Sequence, residues 1–366
     1  MLSSRNEGLY GSPRSWTSGG PARRTRRAAI AWLVLSGVLA SGGVAALAPS
    51  ATAEVTAERA PGAGRAARAP LVIQRDIDYS VAGACEAAPE PGCYLDLYKE
   101  DRGSKKPLVV LIHGGGWIAG AFRDRFAEVA RDLARAGYVS LVLDYPAASN
   151  EPYVPGTTMQ EDAVNESVTW ARANSWLYGI DTKKVAYIGG SSGGQLSLLA
   201  AFNANKAKPG KITMAYSLSG PVDLWEPLRQ LQTGEVVPGD PGFEEGTPGF
   251  RNIELYLGCD WDGDTAPTCR ARQAKAVSPL YIGDSTCPLV RITRSETEDM
   301  VEAEELVAGL IDRGCGTSAD PRAEAILAGE EHGFAQWPLI GPSVIADLDE
   351  HMKPAPPPPP PPPGAS

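Results

Sequence analysis

Histidine is scarce in this chain: 366 residues contain only His113, His332 and His351. Any chemistry that needs an imidazole therefore has three candidates. Cysteine is sparse too, with Cys85, Cys93, Cys259, Cys269, Cys287 and Cys315. There is no Cys-x-x-Cys and no histidine close to a cysteine, which excludes the ligand spacing of structural zinc sites and argues for no metal. Basic residues are outnumbered, 34 to 44, for a net charge of −10. Six of the arginines crowd into the first 27 residues against the single acid Glu7, so without that segment the balance falls to −15. A surface of that sign repels phosphate backbones, and nucleic acid is not an expected partner.

The arginine-rich beginning reads as an address. Arg23, Arg24, Arg26 and Arg27 precede an apolar run from Ala28 to Ala48, and Ala51-Thr52-Ala53 offers a small-x-small cleavage site before Glu54. Residues 1–53 are expected to be a signal peptide, which makes the protein secreted or extracytoplasmic, with no stable membrane span after cleavage. An uncleaved anchor is the alternative, although Ser36, Gly37, Ser41, Gly42 and Gly43 dilute the run. An even cysteine count in an oxidising compartment points to disulfides. Residues 54–70 lack periodicity and read as a flexible leader, while residues 353–366 form a proline-rich tail that can extend but not pack. The folded domain is expected over 71–352.

Within that domain short apolar runs alternate with helical stretches. Strands are expected at Leu108–Ile112, Val139–Leu143, Val185–Ile188, Met214–Leu218, Leu289–Ile292 and Ala323–Leu327. Helices are expected at Asp124–Ala136, Met159–Asn174, Gln195–Asn205 and Val301–Arg313. This alternation predicts an α/β fold, a mostly parallel central sheet with helices on both faces. Chemistry in such sheets gathers at the carboxyl ends of the strands. The same topology pairs Cys287, before a strand, with Cys315, after its return helix; Cys85–Cys93 and Cys259–Cys269 would close local loops.

Two of those strand ends carry glycine-rich turns. Gly189-Gly190-Ser191-Ser192-Gly193-Gly194 separates a strand from a helix, the setting of a nucleophile elbow. A phosphate-binding loop would need a lysine that is absent here. Ser191 and Ser192 both fit a Gly-x-Ser-x-Gly register, and the following Gln195-Leu196 favours Ser191 as nucleophile. The second turn, His113-Gly114-Gly115-Gly116-Trp117, leaves amides free to meet an oxyanion, with the N–H of Ser192 as a further donor. His113 belongs to that loop and His351 abuts the tail as a solvated residue, so elimination leaves His332 as general base. An acid to orient it should precede it in the chain, from Glu296, Glu298 or Asp299. Asp299 with Glu302 resembles a helix capping pair, which favours Glu298.

Taken together, the sequence resembles the α/β-hydrolase-fold esterases and carboxylesterases with an HGGGW oxyanion motif, near the hormone-sensitive-lipase-like and feruloyl-esterase-like groups. The resemblance rests on Leu95-Asp96-Leu97-Tyr98, His113–Trp117, Tyr178-Gly179-Ile180-Asp181, Gly189–Leu196 and Gly329–Phe334, with Ser278-Pro279-Leu280 and Leu218-Ser219-Gly220-Pro221 in support. It implies the α/β-hydrolase fold, a Ser191–Glu298–His332 triad, and Gly115, Gly116 and Ser192 as oxyanion donors. It implies a small-molecule ester as substrate and no cofactor, though Glu298 stands where the family usually has aspartate. Amide or peptide hydrolysis uses the same machinery, and a non-catalytic binding protein on this fold is the rival from another class. Trp117, with Tyr145, Trp225 and the irregular stretch 226–248, is expected to shape the acyl pocket or a partial lid.

Overall fold

The computed structural model describes residues 69–80, 85, 92–101, 103–120, 122–150, 153–154, 156–157, 159–226, 248–258, 273–298, 300–319 and 322–354. All belong to the second of two compact units, Thr52–Ser366. The proposed signal peptide, the leader as far as residue 68, most of the proline tail, Cys259, Cys269, Asp299 and the stretch 227–247 lie outside the described residues.

Eight strands form one sheet: β1 (Leu71–Asp78), β2 (Tyr94–Glu100), β3 (Lys106–Ile112), β4 (Val139–Leu143), β7 (Ile180–Gly190), β8 (Met214–Leu218), β9 (Leu289–Arg294) and β10 (Ala323–Leu327). Two short strands, β5 (Ser149–Asn150) and β6 (Tyr153–Val154), pair as a separate hairpin. The spatial order in the main sheet is β1-β2-β4-β3-β7-β8-β9-β10. From β4 onward every pairing is parallel, in a register that opposes Leu108 to both Val139 and Val185, Ala186 to Met214, and Val290 to Ala323. Only β1 and β2 run antiparallel to their neighbours.

The central strands are apolar on both faces because both faces are covered. Val110 and Tyr187 pack on one side with Val164 of α2 (Met159–Ala173), which the short α3 (Ser175–Tyr178) follows, and with Leu196 and Leu199 of α4 (Ser192–Ala207). Val109, Leu111, Ala186 and Ile188 alternate to the other side, where Leu133 of α1 (Ala127–Arg135) and Val344 and Leu348 of the C-terminal helix Trp337–Met352 cover them. Each element expected from sequence forms within a few residues. The strands β1 and β2 and the C-terminal helix were not among those expected.

Asp96 of β2 is buried at 1% exposure, and its partners explain how a carboxylate sits there. It pairs with Arg75 at 3.2 Å and with Arg123, which also holds Asp144 at 2.6 Å and Asp76 at 2.7 Å. One guanidinium thus ties three acids near the carboxyl end of β4. Cys287 precedes β9 and Cys315 follows the helix Val301–Asp312, and the two stand at disulfide distance with Cα atoms 5.8 Å apart, as do Cys85 and Cys93. Among the described residues no helix is long and apolar enough to cross a membrane.

Candidate active site

Ser191 lies between the end of β7 and the start of α4 with φ 55° and ψ −128°, a conformation that costs an L-residue free energy and persists only when its surroundings impose it. Those surroundings are backbone. The Ser191 N–H donates to the Leu218 carbonyl of β8 at 2.8 Å, and its own carbonyl accepts from Gly194 at 2.8 Å and Gln195 at 3.3 Å. A methyl on Gly189 would overlap the Gly193 carbonyl, and one on Gly193 would overlap the main chain of Ile112 and His113. Strand, helix and the adjacent β3 therefore meet main chain to main chain, which only glycine allows. Ser192 is buried as the first residue of α4, so Ser191 alone occupies the strained turn. The helix starts three residues earlier than expected because it absorbs Gly193 and Gly194.

The glycine loop after β3 faces this turn. Gly115 and Gly116 take φ values of 127° and 58°. Among the described residues, the N–H groups of Gly115, Gly116 and Ser192 donate to no backbone carbonyl. Side chains beneath fix the loop: Gln160 Nε2 donates to the carbonyls of Trp117 at 2.6 Å and Pro146 at 2.9 Å, and the Tyr145 hydroxyl donates to the His113 carbonyl at 2.7 Å.

Trp117 is held from the core side. It is 3% exposed, its indole N–H donates to Gln195 Oε1 at 3.0 Å, and its ring stacks on Tyr256 at 4.9 Å. It braces the loop from the core, and Tyr145, fully buried, does the same. His113 is also buried. Burial pushes its imidazole down to about 4 despite the bond to the Gly114 carbonyl, so the ring stacks on Tyr145 in neutral form. His351 is half-buried against Asp347 at 3.2 Å, not solvated as expected.

His332 follows β10 and precedes a single 3-10 turn, Gly333–Gln336. Its Nδ1 stands 2.5 Å from Glu298 Oε1, the only one of the three acids weighed from sequence found in contact with it among the described residues. Glu298 Oε2 accepts the Ser295 N–H at 3.0 Å. Partial burial pushes the Glu298 carboxyl upward. Hydrogen bonds from His332, Ser295 and the Ser219 hydroxyl outweigh that effect and hold it down at about 2. The histidine loop packs on the serine turn: a methyl on Gly190 would come within 2.6 Å of the Phe334 ring, and one on Gly333 within 3.6 Å of the Ser191 nitrogen. Serine, histidine, acid and glycine loop thus gather at one end of the parallel sheet.

Ser219 and Gln336 were overlooked as site residues. Ser219 has φ 56° directly after β8, and Gln336, 1% exposed, donates from Nε2 to its hydroxyl oxygen at 2.9 Å. Neither residue type signals such a role at its position. Only the pairing of β8 with β9 and the return of the chain after β10 bring the two together.

Comparison with known proteins follows the same lines. The BD-FAE family model matches residues 95–307, more than half of the chain. Esterase LipC of Mycobacterium tuberculosis is 35% identical over 118 residues, which are 32% of this chain and 28% of that protein. The chain spans about a third of the length of the curated relatives it matches. Among solved structures, a truncated carbohydrate esterase from gut microbiota superposes with a TM-score of 0.58 at 16% identity, covering 76% of this chain and 96% of that one. A hyperthermophilic esterase from Pyrobaculum calidifontis gives 0.53 at 20% identity, covering 76% and 86%. These likenesses establish the α/β-hydrolase architecture.

Proposed function

The chain belongs to the BD-FAE family, and from that premise we propose that it is a carboxylic ester hydrolase that works through Ser191, His332 and Glu298. The observation that carries the reading is the 2.5 Å contact between His332 Nδ1 and Glu298 Oε1, on a loop packed against the strained Ser191 turn. Curated relatives named as esterases support the reaction class.

In the proposed cycle Glu298, ionised because its carboxyl is held near 2, keeps the proton of neutral His332 on Nδ1. Nε2 is then free to take the Ser191 proton as the hydroxyl attacks the ester carbonyl. The oxyanion that forms is met by the amides of Gly115, Gly116 and Ser192, each such donor contributing about 3 kcal/mol in the transition state. The imidazolium protonates the departing alkoxide. A water activated by the same nitrogen then releases the acid and regenerates Ser191. Rigid bracing of the glycine loop by Gln160, Tyr145 and Trp117 matters because a preformed oxyanion site needs no reorganisation during reaction.

The test is labelling by a fluorophosphonate probe alongside turnover of p-nitrophenyl esters of increasing chain length. Wild type should label and turn over, Ser191→Ala should do neither, and both should fold. Labelling that persists in Ser191→Ala and disappears in Ser192→Ala would move the nucleophile by one residue. Export is proposed from the arginine-flanked apolar run and supported by the two cysteine pairs at disulfide distance. Cell fractionation with N-terminal sequencing of the mature protein tests it.

A further inference from the structure

The helix Pro248–Leu257 carries a side chain onto the oxyanion loop. Its residues Asn252 and Tyr256 stand at i and i+4 and so share one face. At one end of that face the Tyr256 ring stacks on Trp117 at 4.9 Å, its hydroxyl accepts from Gln195 Nε2 at 3.3 Å, and its carbonyl accepts the Thr157 N–H at 2.9 Å. Ile253, Tyr256 and Leu257 are no more than 2% exposed, which fixes the helix to the core. At the other end Asn252 rests on Gly116. A methyl on Gly116 would overlap the Asn252 amide nitrogen and stand 3.3 Å from its Cγ and 3.6 Å from its Cβ.

This amide holds hydrogen-bonding capacity that the protein does not use. Asn252 is half-buried, and among the described residues its side chain has no hydrogen-bond partner. The neighbouring amides are bound to the protein instead: Gln160 Nε2 donates to the carbonyls of Trp117 and Pro146, and Gln195 Nε2 to that of Val277 at 2.7 Å. Gly116 has φ 58°, a conformation that side chains rarely adopt, so the space beside its Cα is left to Asn252. An ester whose carbonyl oxygen is held by the Gly116 N–H is thus bound beside an open amide. As it settles, it displaces the water that still reaches Asn252. A hydrocarbon substituent there leaves the amide unpaired and desolvated, whereas an oxygen pairs with it.

We propose that Asn252 is a specificity-determining residue of this site: its amide hydrogen-bonds an oxygen substituent of the ester beside the scissile carbonyl, and so selects esters of oxygen-bearing acids or alcohols over plain hydrocarbon ones. The inference deepens the ester-hydrolase reading above and rests on it. The amide offers two N–H donors and one carbonyl acceptor, so an ether oxygen takes a donor and a hydroxyl takes either kind. Asn252 has no part in the proton transfers, which belong to Ser191 and His332. Its contribution is to discriminate between substrates that those residues would attack equally well.

Isosteric substrate pairs test this, because each exchanges one methylene for oxygen at nearly constant shape. On the acyl side the pair is p-nitrophenyl methoxyacetate and p-nitrophenyl butyrate; on the alcohol side it is 2-methoxyethyl butyrate and butyl butyrate. The quantity read is the ratio of kcat/KM within a pair, compared between wild type and variant, which cancels the intrinsic reactivity of each ester. Asn252→Leu should lower the preference for the ether ester by about tenfold, the size of one hydrogen bond. The pair that responds identifies the side of the ester that lies at Asn252. Asn252→Asp keeps the shape but, ionised, offers no donor; it should lower the same ratio, and it serves if the leucine variant does not fold. A role confined to packing on Gly116 would scale both members of a pair alike. Ratios unchanged in both pairs in a folded variant overturn the proposal while Ser191→Ala remains inactive. Full activity in Ser191→Ala would instead overturn the triad reading itself, so the two failures are distinguishable.

Discussion

Replacing Glu298 by glutamine changes one atom and should abolish the proposed ester hydrolysis. In the wild type one carboxylate oxygen accepts from His332 Nδ1 at 2.5 Å and the other accepts the Ser295 N–H at 3.0 Å. A glutamine must keep its carbonyl oxygen on the Ser295 N–H, because two donors cannot pair. Its amide nitrogen then faces His332 and forces Nδ1 to accept. The imidazole proton moves to Nε2, the nitrogen proposed to act as the base, and the base is lost without any change of shape. Where an acid-to-amide change traps the wrong tautomer in a serine protease, kcat falls by about 10⁴-fold, roughly 5 kcal/mol in the barrier. A similar loss is expected for Glu298→Gln, with KM little affected. The assay is steady-state turnover of p-nitrophenyl acetate after active-site titration, so that traces of wild type are not counted. A loss below about tenfold, or one expressed mainly in KM, would refute the tautomer argument.

Stability should respond to pH at a second acid. Glu161 on α2 is pushed up by burial to about 7, although Asn203 donates to it at 3.0 Å. Its folded value lies above its ordinary 4.5, so the stability it contributes is present below 4.5 and lost as pH rises through about 7. Glu161→Gln should match wild type in acid and exceed it above neutrality, measured by urea unfolding; a constant difference across that window counts against the assignment. Gly189→Ala should destabilise by about 3 kcal/mol or more, since its methyl would overlap the Gly193 carbonyl, and a melting temperature equal to wild type would contradict the geometry. Cys315→Ser should cost about 3.5 kcal/mol in the chain-entropy account of a disulfide closing 28 residues. Non-reducing peptide mapping that finds Cys287 paired elsewhere would refute the bridge.

Local chemistry made much of this protein readable in advance. Ser191 stands out because a strand run followed by Gly-Gly-Ser-Ser-Gly-Gly leaves few other uses for so many glycines, and His332 because two other histidines have other settings. The parallel strands are legible because burial on both faces forces continuous apolar runs such as Leu108–Ile112. The bridge between Cys287 and Cys315 is legible because a parallel crossover must return to the end of the sheet from which it left.

What escaped the sequence depends on partners far away in the chain. The strand Tyr94–Glu100 contains Asp96, which reads as a surface acid until Arg75 and Arg123 arrive to neutralise it. The helix Trp337–Met352 contains Pro338, Gly341 and Pro342, each unfavourable to a helix. Pro338 falls in the first turn, where its missing N–H costs nothing, and burial of Val344 and Leu348 on the sheet outweighs the rest. Trp117 next to a glycine loop suggests a pocket wall, but only the packed structure decides whether an aromatic faces solvent or Tyr256. The sequence by itself determined which residue types could carry the chemistry and the order in which strands and helices alternate, because both follow from local composition and period. The tertiary structure alone decided that Glu298 meets His332 and that Gln336 meets Ser219. Those contacts are made by loops joined only through the pairing of β8, β9 and β10, and no local pattern encodes the register of distant strands.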